Sequence, residues 1–543
     1  MTMNPDKSRP LPAEGNTSRG DTFFAVASLC GCAAIVFLAG AAVTIGNVFP
    51  GPEIRRAYEG GMALYEKATM TQDVHTSDLW FPERSPGKGV TVPATERSQG
   101  GVTLYTTGDQ PSAYLIDMDG QVLHQWTKPF SQVWSADWGG VADPQPDQFV
   151  YFRHAHVYPN GDLLATYEGV GDTPYGYGLV KLDRNSNVVW RYPGRAHHQF
   201  SVAPDGKIYT LTHEIVDDVL PSFEHLESPR LEDFLVVLAP DGEELQKIRL
   251  LPAMAASKYR HILYATSGFA LGDPLHANAV KYITAAQAAN FPWAKEGDIL
   301  FSFREANGVA VMDPKTGDVH WATRGPWLGQ HDADLLDNGH LLLFDNYANY
   351  QGEDGSSRVL EVDPKTMAIV WQYAGTKDHP LESRIRSDQQ RLANGNTVIT
   401  ESNGGRILEV TPEGEIVWEF MNPVRAAFNG QTIIPIVAWA ERLDPATLDP
   451  TLLVPTGRQA SLTRAHTGPA SAVPEEVASE SHSPASAAAE AGPHTPGNAP
   501  GTNHPAGALS ARLLPAGLAS APLTDADLAS AHRPFAEQIK ETN

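Results

Sequence analysis

Between about residues 101 and 450 the chain runs in short stretches of alternating apolar and polar residues, broken by turn-forming residues. Period-2 alternation predicts strands, because successive side chains on a strand point to opposite faces. One unit recurs six times: YLIDMDGQVLHQW ending at Trp126, LVKLDRNSNVVW at Trp190, LVVLAPDGEELQKI at Ile248, VAVMDPKTGDVHW at Trp321, VLEVDPKTMAIVW at Trp371 and ILEVTPEGEIVW at Trp418. A second unit alternates with it, reading VYPNGDLLATYE, VAPDGKIYTLTHE, LLDNGHLLLFDN and LANGNTVITES, each with an Asn-Gly or Asp-Gly turn. Two hairpins per repeat make a four-stranded blade, and six copies predict an all-β, six-bladed β-propeller. Seven or eight blades, with the upstream segment contributing, is the alternative. The first blade lacks one strand, and Thr432 to Leu443 (TIIPIVAWAERL) is the candidate to supply it and close the ring.

A different pattern precedes the repeats. Phe23 to Ile45 is 23 residues without a charge, long enough to cross a hydrocarbon core of about 30 Å as a helix. The expected order is a disordered head over 1–22, a transmembrane anchor over 23–45, and a connector of helix and loop over 46–100, with a helix from Gly51 to Thr71. The propeller then covers 101–450. Ala39-Gly40-Ala41 leaves signal cleavage as the alternative to an anchor. A short head and a large C-terminal domain favour the propeller on the extracytoplasmic, periplasmic side. Over 451–543 the composition turns to Ala, Pro, Ser, Gly and His, too poor in apolar surface to fold, so a disordered low-complexity tail is expected, with a short helix near Asp525 to Lys540.

Composition narrows the chemistry. A formal net charge of -24 argues against nucleic acid, which needs a basic face. The two cysteines, Cys30 and Cys32, both lie in the apolar run, which excludes a zinc–thiolate site or disulfide framework in the main domain. No metal site is expected; the Asp-rich turns lack the spacing of a calcium loop.

A propeller brings repeat-equivalent positions together on its axis. Eight residues before the turn glycine stand His331 (from Gly339), His198 (from Gly206), Ser387 (from Gly395) and Arg153 (from Gly161). A further blade enters through DPLHANAVKYI, where His276 and Asn278 are two apart and would share a face of one strand. The following strand, ILFSFREANGVAVMD, contains Arg304, which needs an anionic partner if buried. His154 and His156 form another same-face pair, read as strand-packing residues, and the hairpin-end tryptophans as blade packing. Three histidines and an arginine from separate blades would bind an oxyanion, with one neutral imidazole as nucleophile and another as proton carrier.

These segments resemble the bacterial arylsulfotransferase family, which moves sulfate between phenols without a nucleotide donor. The resemblance runs over roughly 101–445 and is carried by DPLHAN with the following SFRE, by GQHDADLLDNGHLLLFDN, and by GRILEVTPEGEIVWEFMNP. It implies that His331 is the histidine that becomes sulfated, that His276, Asn278 and Arg304 contact the sulfate, and that His198 is the remaining catalytic histidine, with His197 as the alternative and a substrate contact. It further implies an aryl sulfate donor, a phenolic acceptor, a sulfohistidine intermediate, a six-bladed fold facing the periplasm, and no cofactor. The sequence departs from the family at Glu305, a carboxylate next to Arg304 that would compete for its charge. A membrane-tethered, non-enzymatic binding scaffold is the rival reading. A quinone-dependent dehydrogenase is disfavoured, because the expected carboxylate set and eight blades are missing.

Overall fold

The structure is a computed structural model that describes residues 19–45, 48–51, 73–135, 138, 140–268, 270–347 and 355–455. The head over 1–18, nearly all of the helix expected from Gly51 to Thr71, and the tail beyond 455 with its expected helix near Asp525 to Lys540 lie outside the described residues.

Alternation produces strands wherever it was read. Among the described residues there are six antiparallel sheets of four or five strands, and one small three-stranded sheet. We number the six in chain order by their innermost strands. The second to sixth begin with Val150–Val157, Ala196–Val202, Ala277–Tyr282, His331–Leu335 and Asp388–Arg391. The first is completed from the far end of the chain. Val437–Leu443 pairs with Val102–Thr107, from Val437 opposite Thr107 to Leu443 opposite Val102, as the missing-strand argument required.

The buried clusters explain why these strands are nearly continuous in apolar residues. Leu104 faces a core shared by the first and second sheets, while its neighbour Tyr105 faces a core shared by the first and sixth. Further cores join the second sheet to the third, the third to the fourth, the fourth to the fifth and the fifth to the sixth. Each sheet is therefore buried on both faces, and the succession of cores returns to its start. Only the outermost strands are exposed, as along Val188–Tyr192. The tryptophans at the hairpin ends stitch neighbours together. Trp126 Nε1 donates to Gly161 O, Trp190 to Pro240 O, Trp371 to Pro412 O and Trp418 to Met118 O, each a carbonyl in or beside a turn of the next sheet.

The region expected to be a connector corrects that expectation in part. Gly89–Val92 adds a fifth strand to the sixth sheet, pairing with Ile416–Met421, and Trp80–Pro82 pairs with Gln431–Pro435. At the other end, Leu452 is buried against the core between the first and second sheets, so ordered packing runs slightly past 450. Arg19–Ile45 is one α-helix, and its stretch Val26–Val43 has a mean hydropathy of 2.3 with apolar side chains turned outward. It is long and apolar enough to cross a membrane, a test that signal sequences also pass.

Candidate active site

Five innermost strands share one irregularity. The register slips between Phe152 and His154, His197 and Phe200, Ala277 and Ala279, His331 and Asp334, and Val437 and Trp439. A bulge inserts an extra residue, bends the strand and re-aims a side chain. At or beside these slips non-glycine residues take left-handed backbone: His198 (φ 50°), His276 (φ 47°) and Asp332 (φ 50°), and Arg386 (φ 63°) and Ser387 (φ 75°) ahead of the sixth sheet. Each costs about 1–3 kcal/mol and persists only where the surroundings over-determine it.

The bulges gather the predicted histidines. The ring centroids of His198 and His276 lie 5.4 Å apart, and those of His198 and His331 6.2 Å apart. His276 is reached differently from the expectation. It sits just before the strand Ala277–Tyr282, in left-handed backbone ahead of a bulge, so the shared-face argument with Asn278 does not apply. Asn278 Nδ2 donates to Gln330 O at 2.7 Å, which steadies the peptide next to His331, while its Oδ1 is buried without a hydrogen-bond partner. His154 is packed edge-on against Phe200 and Trp439, a structural role.

His331 is held by two acceptors. Its Nδ1 lies 2.9 Å from Asn346 Oδ1 and 3.2 Å from Gly329 O. Asn346 Nδ2 donates to Ser383 O and Arg386 O, so the amide oxygen must be the atom that faces the ring. Two acceptors at Nδ1 place the proton there and leave a lone pair on Nε2. The Arg386 backbone N–H approaches that Nε2 at 3.4 Å. Burial, then Arg304 and Arg153, hold the imidazole well below its usual pKa, so it is neutral at pH 7.

His276 has the opposite setting. Burial alone would lower its pKa, but the Asp273 carboxylate, 2.6 Å from Nδ1, outweighs burial and raises it. Tyr175 OH stands 3.4 Å from its Nε2. His198 is kept neutral by burial and by the neighbouring His197. Arg304 does meet a carboxylate: Nη1 pairs with Glu305 Oε1, yet its Nε is buried without a partner. Arg153, named by the repeat registry, reaches the carbonyl of Ala438 at the neighbouring bulge, at 2.8 Å.

His197 is fully buried behind His198, stacked on His213 with ring centroids 4.4 Å apart and planes 19° apart. His197, His213 and Asp233 bring possible ligand atoms within 4.8 Å of one another. They fit a metal poorly. Near-parallel stacked rings send their lone pairs along parallel planes, and His213 Nε2 already accepts the Gly176 N–H at 3.0 Å. A second group, Asp298, Asp313 and His320, has its cation supplied by Lys295 Nζ, 2.7 Å from Asp313 Oδ2.

Sequence reasoning missed Asp273 and Asn346, although both stand inside the segments that carried the resemblance. It also missed Tyr175 and Arg386. Arg386 is clamped by Asp78, 308 residues away, and by Tyr151 OH at 3.1 Å. No local pattern announces such a contact.

Among solved structures the chain is similar to a protein of unknown function from Bacteroides caccae (14% identity, 62% of this chain and 99% of that one, TM-score 0.37). It is also similar to a streptogramin B lyase (13% identity, 63% and 86%, TM-score 0.33) and to the WD40 β-propeller domain of Doa1 (11% identity, 68% and 99%, TM-score 0.32). No curated protein matches it significantly. Residues 154–423 match the arylsulfotransferase (ASST) family model, and that span holds His197, His198, His276, Asn278, Arg304 and His331. Across that span the chain is similar to the arylsulfotransferase family.

Proposed function

We propose that the six sheets are the blades of a six-bladed β-propeller over about 101–450, and that its axial pocket transfers a sulfuryl group from an aryl sulfate to a phenol. In this reading Arg19–Ile45 anchors the chain in a membrane, with the propeller on the extracytoplasmic side. The observation that carries the chemistry is the tautomer of His331. A neutral imidazole with Nδ1–H fixed on Asn346 and an Nε2 lone pair met only by the long 3.4 Å contact of the Arg386 N–H is a ready nucleophile.

The Nε2 lone pair of His331 forms the N–S bond while the S–O(aryl) bond breaks, and the electron pair leaves on the phenolate oxygen. His276, whose Nδ1–H is held by Asp273, protonates that oxygen with the proton on its Nε2. The acceptor hydroxyl oxygen then attacks sulfur, the N–S pair returns to Nε2, and the acceptor proton passes to His198 and back to His276. Arg304, with its unpartnered Nε, faces the sulfuryl oxygens, where donors aimed at shifting negative charge act most strongly. Asn346 serves this better than an aspartate would. A neutral partner leaves the sulfonated ring cationic, and a cationic ring is a good leaving group.

The test exposes the purified full-length chain to a chromogenic aryl sulfate and a phenol, with intact-mass analysis of the His331 peptide. Wild type is expected to transfer sulfate and to carry one sulfuryl group on His331, and His331→Ala to do neither. Equal transfer by both would remove the nucleophile assignment. Ligand binding with no transfer by either would favour the scaffold reading.

A further inference from the structure

We propose that Asp233 and His197 form a positioning relay that holds His198 with its Nε2 lone pair in the pocket, making His198 the base that takes the acceptor's proton. The proposal rests on the sulfuryl-transfer reading above and assigns work to two buried residues that the reaction as written does not use.

The bulge makes the relay possible. In a regular strand His197 and His198 would point to opposite faces and could not meet. With the register slipping after His197 and left-handed backbone at His198, their Nδ1 atoms come to 2.9 Å. Only one proton can lie between two imidazole nitrogens, and its owner is set by what stands behind. Asp233 Oδ1 lies 3.3 Å from His197 Nε2, close enough for charge to act although not aligned as a hydrogen bond, with His197 fully buried and Asp233 nearly so. In that poorly screened setting the carboxylate favours a proton on His197 Nε2. His197 Nδ1 is then bare and accepts from His198 Nδ1–H. Neutral His198 is left with its lone pair on Nε2.

The rest of the shell holds this arrangement in place. His213 stacks on His197 and is itself pinned by the Gly176 N–H. The second oxygen of Asp233 takes the Ala277 N–H at 2.7 Å, which ties the relay to the strand that His276 precedes. The backbone N–H of His198 donates to Glu168 Oε1 at 2.7 Å, and Glu168 Oε2 takes the Tyr151 hydroxyl at 2.6 Å. The ring thus has a fixed anchor on its Nδ1 side. Proton capture on Nε2 makes an imidazolium whose charge is shared back through His197 to Asp233.

The experiment separates the two half-reactions in the full-length protein. The burst of coloured phenolate without acceptor reports donor cleavage. Turnover with a series of phenols, from nitrophenols that are already ionised to weakly acidic alkylphenols, reports acceptor deprotonation. Asp233→Asn and His197→Leu are expected to retain the burst. They are expected to slow turnover about 100-fold with alkylphenols and only a few-fold with nitrophenols, the range that general-base catalysis spans. His197→Asn, whose Oδ1 can still accept from His198, is expected to recover most of the alkylphenol rate. Equal losses across all acceptors, a lost burst in the variants, or no loss at all would overturn the relay. A wild type that gives no burst would overturn the sulfuryl-transfer reading itself.

Discussion

At His331 the inner strand of the fifth sheet carries a base from which burial has stripped the proton. Three residues along the same strand, at Asp334, burial keeps a proton on an acid. Burial raises the Asp334 carboxyl to about 7 in spite of Lys281, and raises Glu441 on the closing strand to about 7 as well. Asp388 is pushed up by burial and by Asp332. One end of the axis is thus lined by imidazoles and arginines, and the next stretch by carboxylates around one lysine. Desolvation penalises whichever form is charged, so it favours neutral imidazoles at one end and protonated carboxyls at the other. The comparison teaches that the pocket need not export its charge. It is separated from the rest of a chain of net charge -24 by acids whose charge is reduced by burial or matched by Lys281.

The largest expected effect comes from removing the lysine. Lys281 Nζ lies 2.7 Å from Asp332 Oδ1 and 3.0 Å from Asp334 Oδ1. Lys281→Met leaves those carboxylates uncompensated and is expected to cost about 3 kcal/mol at pH 8. The pH dependence follows from the direction of the shifts. Carboxyls whose folded pKa is raised give stability that is fully present below their unfolded values near 4, and it is lost as pH rises to and through about 7. The penalty of Lys281→Met should therefore shrink toward pH 5, where these carboxyls are protonated. Thermal melts at both pH values check this. A penalty that grows on acidification would show that these carboxylates are not the acids of the comparison.

The second effect crosses the two chemistries by bringing an acid to the basic end. Asn346→Asp places a carboxylate against His331 Nδ1 and is expected to raise the pKa of that imidazole by about 1–2 units. His331 attacks only when neutral, so the acid limb of the pH–rate profile should move up by the same amount. A carboxylate would also steady the cationic sulfonated ring, so the burst should persist while turnover slows. An unmoved acid limb would detach Asn346 from the tautomer of His331.

How much of this was readable from the sequence depends on whether local regularity held. The hairpin units, the closing strand and the convergence of His198 with His331 all follow from period-2 alternation and repeat registry, and each is found. The reasoning failed where strands bulge. His276 and Asn278 were paired by a face rule that a bulge cancels, and His197 meets His198 only because the same rule breaks there. Asp273 and Asn346 escaped notice because a lone Asp or Asn beside a strand reads as turn chemistry. The strand Gly89–Val92 was read as connector because its partner, Ile416–Met421, lies more than 300 residues away.

The smallest effect tests how finely the basic end is tuned. Tyr175 is half-buried among the rings of His197, His198, His213 and His276, and desolvation and nearby carboxylates push its hydroxyl well above the usual value. At pH 7 that hydroxyl is neutral, and its contact with His276 Nε2 at 3.4 Å is at the edge of hydrogen-bond length. The charge on His276 is set mainly by Asp273 on the other nitrogen. Tyr175→Phe is therefore expected to lower the phenolate burst by no more than about threefold, in line with a net hydrogen-bond value of about 0.5 kcal/mol, and to leave the stability difference between pH 5 and pH 8 unchanged. A larger loss of burst would mean that Tyr175, rather than Asp273, controls the proton of His276, and would move the boundary between acid and base by one residue shell.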